Sequence, residues 1–597
     1  MVSSPALSER LGAVRAAMAE QDLAGFLVPR GDEHLGEYVP PSGERLAWLT
    51  GFTGSAGLAA VLAGHAAVWS DGRYVLQLGA QTDETLWERL HLTENPPAAW
   101  IAAGIGGRTL GYDPWLHSEE GLKPFRDAGI ALRAVARNPV DACWVDRPAP
   151  PAGPAVPHDV AFAGVSSAEK RTQIGESLRT AGQDAAVISD PASIAWLLNI
   201  RGSDVEGTPF ALGFCVVHAD GAVDLFMDGG KLPAETRVWL GNGVAVAERT
   251  ALPDALARLG GRRVRVDQAG TAAWFGERLR EAGAVVVAGA DPCLLPKARK
   301  NEVEQQGARA AHGRDAVALC RFLHWVRGAA GQETELSVSG RLLEFRAGGE
   351  YFRGASFSSI AGAGEHGAII HYHATPESNR ALRHNEVFLI DSGGQYLDGT
   401  TDVTRTIWIG PDEASAAVKD RFTRVLKGHI AIATAVFPEG TAGVRLDAFA
   451  RASLWQAGLD YDHGTGHGVG SYLSVHEGPA SISSHLRPAG ITEGMILSNE
   501  PGFYLPGAYG IRIENLLLAH RADVDSEKPF LRFETLTLAP IEQALIEPAL
   551  LRQDEIDWVN EYHARVQREV GPRVPAETAA WLAEACAPLK VAACNPT

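Results

Sequence analysis

The sequence predicts mixed α and β structure, with two similar α/β domains in the first half and a larger α+β domain in the second. Three observations carry this. Proline-rich seams fall near residues 150 and 296, the stretches before and after the first seam repeat each other, and apolar strands of the second half end in acids. At 597 residues the chain exceeds a single core, and about 150–200 residues per domain predicts three or four domains.

The first seam, VDRPAPPAGPAVPHD (145–159), carries five prolines and suits neither a helix nor a central strand. In the second, DPCLLPKARKNEVEQ (291–305), Pro292 and Pro296 precede a helical pattern from Val303 to Val326. The expected domains are therefore 1–150, 158–296 and 300–597. In the repeat, ERLAWLTGFTGS (44–55) and ASIAWLLNIRGS (192–203) share Ala-Trp-Leu and a Gly-Ser pair at equal offsets, with Trp48 and Trp196 148 residues apart. Each follows an amphipathic helix (Leu11, Val14 and Met18; Ile174 and Leu178) and an apolar strand, GFLVP or AAVIS. The shared order indicates duplication, with the tryptophans as core anchors.

Composition excludes some function classes. With 46% hydrophobic and 21% charged residues the chain is globular, and its formal charge of −18, with no Lys/Arg run, argues against nucleic acid and anionic membrane surfaces as partners. Six cysteines form no C-x-x-C pair, and Glu9 and Arg10 interrupt the N-terminus before an apolar signal core develops. These features predict free thiols and a cytoplasmic location.

In the third domain EVFLI (386–390) runs into Asp391, and turn residues Gly393, Gly394 and Asp398-Gly399 predict a hairpin that returns Asp402 to Asp391. Asp402 starts a strand with Val403, Ile407 and Ile409 on the opposite face. A second apolar strand ends in Glu500, and in GIRIE alternation places Arg512 beside Glu514. Between the acid pairs lies DYDHGTGHGVGSYLSVHEG (460–478), bearing His463, His467 and His476. Its glycines disfavour a helix by about 1 kcal/mol each, which predicts a loop able to approach a ligand closely. An Asp after a strand alone starts a turn, and a lone Arg-Glu pair is a surface ion pair. Repeated strand-terminal acids around a histidine loop instead predict a metal cluster. Four carboxylates and a neutral imidazole bring a charge of about −4, which two divalent cations cancel. The hard donors favour Mn(II), with Co(II), Fe(II) and Zn(II) admitted.

The stretches GAIIHY, DSGGQYLDGTTDVTRT, HGTGHGVGSYLSVHEGP and EPGFY…GIRIEN resemble aminopeptidase P, the Xaa-Pro aminopeptidases of the pita-bread metallopeptidase fold, in their three-domain cytosolic form. The likeness runs from WSDGRY (69–74) to FLRFETLTLAPI (530–541). It implies two creatinase-like N-terminal domains before a pita-bread catalytic domain with a C-terminal helical extension. It further implies Asp391, Asp402, His467, Glu500 and Glu514 as metal ligands, and His371, His463 and His476 lining the substrate site. Glu500 would carry the proton, His371 and His476 would stabilise the oxyanion or leaving group, and Arg512 would orient Glu514 or another acid. His373 stands where the family pattern has a small residue, and His371 is favoured because it lies twenty residues before Asp391.

The implied activity is release of the first residue from peptides with N-terminal Xaa-Pro. Prolidase uses the same ligands, but the duplicated front and the histidine loop point away from it. A metal-free creatinase-type hydrolase or a binding module would lack part of the ligand set. The resemblance also implies a homodimer, for which Ile556, Val559, Val566 and Val570 on a C-terminal helix offer a stripe, unless that stripe packs on its own domain.

Overall fold

The structure, a computed structural model, describes residues 4–487 and 489–589. It forms two compact units, residues 1–160 with 165–294, and residues 161–164 with 295–597.

The first unit holds two six-stranded sheets of one topology. In the first, Glu88–His91, Ala66–Ser70, Leu58–Leu62, Gly25–Pro29, Leu110–Tyr112 and Leu132–Ala134 lie side by side in that order. In the second the order is Val244–Ala247, Val223–Phe226, Phe214–His218, Ala185–Ile188, Arg263–Val266 and Val285–Ala288. Both sheets thus arrange their strands fourth, third, second, first, fifth, sixth. The helices Ser4–Glu20 and Ser167–Thr180 bury the residues that gave them their period: Leu11, Val14 and Met18 in one, Ile174 and Leu178 in the other. The tryptophan motifs are short helices, Arg45–Thr50 and Pro191–Leu198, stopped by Gly51 and Asn199 in left-handed conformation. Trp196 is buried as expected. Trp48 is half-buried, packs against the core of the first sheet and stacks on Trp144 with ring centroids 5.6 Å apart.

The long helix of the second unit, Glu302–Trp325, is started by an Asn301–Glu304 capping box. Strand Glu386–Ser392 lies between Ile360–Ala363 and Val403–Ile409, antiparallel to both, and pairs Asp391 with Thr404. A six-stranded sheet runs Phe437–Pro438, Phe530–Thr535, Asn515–Arg521, Ile496–Asn499, Gly466–Gly468 and Glu477–Ile482. The hairpin of Gly502–Leu505 and Tyr509–Arg512 forms its own ribbon.

In the C-terminal helix Gln553–Val570, Ile556, Val559, Val566 and Val570 are buried in one core with Val425, Ile511 and Ile513. The stripe therefore packs on its own unit and offers no apolar surface to a second copy. Among the described residues, no helix is long and apolar enough to cross a membrane.

Four buried histidines make the fold acid-sensitive. Burial holds His117 down at about 4, His158 at about 2, His429 at about 3 and His563 at about 4, with Arg201 and Lys170 adding at His158 and Arg405 at His429 and His563. Each folded-state value lies below the unfolded one, so stability is complete above about pH 6.5 and falls as the unfolded chain alone takes up protons. Each group is expected to cost about 1.4 kcal/mol per pH unit below that point, until its folded pKa is reached. Thermal unfolding from pH 7.5 to 4.5 checks this, and a flat Tm across that range would contradict it.

Candidate metal centre

Two hairpin-like returns bring the acids together. The pairing of Glu386–Ser392 with Val403–Ile409 carries Asp402 back beside the end of the first strand, as the turn residues predict, while Val403, Ile407 and Ile409 enter the core on the other face. Glu500 follows the strand Ile496–Asn499, and the ribbon that pairs Gly502 with Arg512 returns Glu514 to it. The histidine stretch differs from expectation. Gly466–Gly468 is a short strand rather than loop, clasped between Glu477–Ile482 and Ile496–Asn499. A Cβ on Gly466 would lie 2.1 Å from the Ser498 carbonyl oxygen, and one on Gly468 would lie 2.2 Å from that of Glu477. These glycines thus serve close approach to neighbouring strands, not to a ligand, and the strand presents His467 across the sheet to the acids.

One ligand atom each from Asp402, His467 and Glu514 falls within a 4.8 Å cluster. His467 Nε2 is 3.5 Å from both Asp402 Oδ2 and Glu500 Oε1. Its Nδ1 faces the Gly468 carbonyl oxygen at 3.0 Å, and because a carbonyl only accepts, the neutral ring carries its proton there. The Nε2 lone pair therefore faces two carboxylates, an arrangement that a cation between them relieves. Asp391 Oδ1 and Asp402 Oδ1 are buried without a hydrogen-bond partner. Burial first, then the charges of Glu514, Asp391 and Glu500, raise the Asp402 carboxyl well above its ordinary range, and burial with Asp391 and Glu500 does the same to Glu514. Glu500 is pushed up to about 7, chiefly by burial, with Arg512 pulling down and Asp391 pushing up. Acids that crowd and repel in this way, with oxygens left over, fit divalent cations.

Arg512 is fully buried, and its partner differs from the neighbour that strand alternation suggested. Its Nη2 donates to Asp391 Oδ2 at 2.7 Å, while Nε donates to the Thr404 hydroxyl, which in turn donates to Glu514 Oε2 at 2.8 Å. The charge of Arg512 thus goes to Asp391, and Glu514 is reached through Thr404. Arg512 Nη1 also donates to Tyr504 Oη at 2.5 Å, and Tyr504 lies 2.9 Å from His463 Nε2. His463 Nδ1 faces the Gly464 carbonyl oxygen at 2.8 Å, so Nε2 accepts from Tyr504. His463 is buried in this chain of contacts, 4.0 Å from Glu500. His476 is half-buried, with its ring centroid 4.3 Å from that of His467. His371 is half-buried, whereas His373 is exposed and lies within electrostatic reach of Asp391. Thr404 and Tyr504 were missed from sequence, where a strand threonine and a tyrosine in GFYL carry no signal of their own.

Comparison with known proteins places this geometry in a family. Residues 306–521 match the model of metallopeptidase family M24, and 529–589 match the C-terminal region of peptidase M24. Residues 10–126 and 146–304 match creatinase/prolidase N-terminal domains. Aminopeptidase P2 of Arabidopsis thaliana is 38% identical over 96% of this chain and 88% of its own length. A probable Xaa-Pro aminopeptidase P of Aspergillus fumigatus is 39% identical over 94% and 89%. The crystal structure of an X-prolyl aminopeptidase from Caenorhabditis elegans, described as a cytosolic enzyme with a di-nuclear active site, superposes with a TM-score of 0.92 at 34% identity, covering 98% of this chain and all of that one. With 38% identity to one such relative over nearly the whole chain and with the fold of another, the chain belongs to metallopeptidase family M24, in its aminopeptidase P branch.

Proposed function

We propose that the chain is a Xaa-Pro aminopeptidase in which Asp391, Asp402, His467, Glu500 and Glu514 hold two divalent cations, with Mn(II) preferred by the oxygen-rich donor set. The observation that carries this is the buried convergence of His467 with Asp402, Glu500 and Glu514, whose repulsion divalent cations relieve. When bound, the two cations lower the pKa of water from 15.7 towards about 7 and polarise the scissile carbonyl.

The chain's own residues do the rest. Glu500 takes the proton from the attacking water and passes it towards the proline nitrogen, a role suited to a carboxylate at the metal edge. Arg512 fixes Asp391 directly and Glu514 through Thr404. His371 and His476 donate to charge developing on the carbonyl oxygen or the leaving group, worth about 2–4 kcal/mol per well-placed donor. His463, engaged by Tyr504 and 4.0 Å from Glu500, lines the substrate side of the site. A reducing cytoplasmic compartment is proposed on the free thiols Cys143, Cys215, Cys293, Cys320 and Cys586. The homodimer implied by the family resemblance is proposed without the C-terminal helix as its surface.

The test offers the Mn(II)-loaded protein an Xaa-Pro-Xaa tripeptide, the dipeptide Xaa-Pro and an Xaa-Ala-Xaa control. Release of the first residue from the tripeptide is expected, with weak action on the dipeptide. The alanine control should lose roughly 1–3 kcal/mol of transition-state binding through unfilled pocket volume. Preference for the dipeptide would instead establish a prolidase, and no action on any of the three would leave a binding protein.

A further inference from the structure

We infer that Glu335 is a positioning residue for the reaction, whose buried carboxylate fixes the segment 363–380 and through it the placement of His371. The inference rests on the substrate-side role proposed above for His371.

Glu335 is the first residue of the helix Glu335–Ala347, capped by the Thr334 hydroxyl, which accepts from Ser337 N. A carboxylate there lies at the positive end of the helix dipole, yet Glu335 is 0% exposed, and a buried carboxylate persists only where several donors replace its water. All its side-chain donors come from one stretch of chain. Ala363 N donates to Oε1 at 3.0 Å and His366 Nδ1 at 2.8 Å, while Oε2 accepts from the Tyr372 hydroxyl at 3.0 Å and Arg380 N at 3.3 Å. The Glu335 amide closes the clamp by donating to Arg380 O at 3.1 Å.

The stretch so gathered has little structure of its own, since a 3-10 turn at Gly364–Ala368 is its only regular element. The carboxylate thus supplies to this segment what a sheet ladder supplies elsewhere. His371 sits between two fixed points. On one side Ile370 O accepts from Arg512 Nη1 at 3.3 Å, and on the other Tyr372 is held by Glu335. Tyr372 also packs on Leu389, in the strand that carries Asp391, so the segment is registered against the carboxylates. Tertiary contacts alone could hold Tyr372 near its place. Arg380 Nε donates to Ala363 O at 3.2 Å and joins the two ends of the segment, and the carboxylate joins both ends to Tyr372, the residue beside His371.

Glu335→Gln keeps the volume but turns an amide NH2 towards groups that donate. It is expected to lower kcat about tenfold to a hundredfold, the range for a small displacement of a reacting group, with KM and metal content unchanged. Hydrogen exchange of amides 364–380 should quicken. In a His371→Ala background the same change should cost no further activity, an outcome that a merely structural role would not produce. Tyr372→Phe, which deletes one hydroxyl and leaves the packing, should lower kcat in the same pattern by a smaller factor, and it serves where Glu335→Gln fails to fold. If the His371→Ala and Glu335→Gln losses multiply, or exchange quickens while kcat holds, the inference about Glu335 is overturned. If His371→Ala alone keeps full kcat, the assignment of His371 is what fails.

Discussion

Asp402→Asn is expected to abolish activity, by about a thousandfold or more in kcat, and to lose metal on dialysis while leaving the fold intact. Asp402 is 3% exposed, and its Oδ2 lies 3.5 Å from His467 Nε2, inside the cluster with Glu514. An amide of the same shape brings no charge, and its NH2 offers hydrogens where a cation needs lone pairs. The effect on stability separates a ligand from a packing residue. In the metal-free protein, burial and the charges of Glu514, Asp391 and Glu500 disfavour the Asp402 carboxylate, so a neutral amide removes repulsion and Tm should hold or rise. In the loaded protein the stabilisation by metal, about 2.7 kcal/mol at a hundredfold excess over Kd, should shrink or vanish. Elemental analysis after dialysis and unfolding with and without Mn(II) read both signs. Two equivalents of metal with normal turnover would remove Asp402 from the site.

The acids were legible in the sequence because strand chemistry is local. An apolar run that ends in Asp391 or Glu500, followed by turn glycines, places a carboxylate at a strand end whatever the rest of the chain does. The duplicated sheets were legible for the same reason, since a helix, a strand and a tryptophan helix repeat in order. What strand alternation gave wrongly was partnership. It put Arg512 beside Glu514, but the competing position of Asp391, 121 residues earlier, takes the guanidinium, and Thr404 fills the gap. The glycines of 464–468 were legible as permitting close approach, but which backbone approaches them is a tertiary fact, and it made a strand of what local cost alone made a loop. The stripe on the helix Gln553–Val570 was legible as apolar, but not as to what covers it. Glu335 had no signal at all, because an acid at a helix start reads as ordinary capping chemistry until its donors are seen.

Glu500→Gln is expected to lower kcat by about a hundredfold to ten-thousandfold, the range for loss of a general base, while KM changes little. Glu500 is placed for that work. Its amide donates to Thr465 O at 2.8 Å, which fixes the backbone at the strand end, and Oε1 accepts from the Ser498 hydroxyl at 3.2 Å. Its side chain keeps 17% exposure where Asp402 keeps 5%, so it faces the open side of the cluster, where water and peptide arrive. Without metal, burial leads in pushing its carboxyl up to about 7, and a bound cation acts in the opposite sense, so the loaded site holds the base form at neutral pH. Glutamine preserves the volume and one coordinating oxygen but cannot accept the proton. At saturating Mn(II) the variant should fill its site and still turn over slowly, and that separation of occupancy from kcat distinguishes a proton carrier from a residue that only holds the cations. A variant that keeps kcat within tenfold of wild type at full metal occupancy would assign the proton to another group, with His476, whose ring lies 4.3 Å from that of His467, as a candidate.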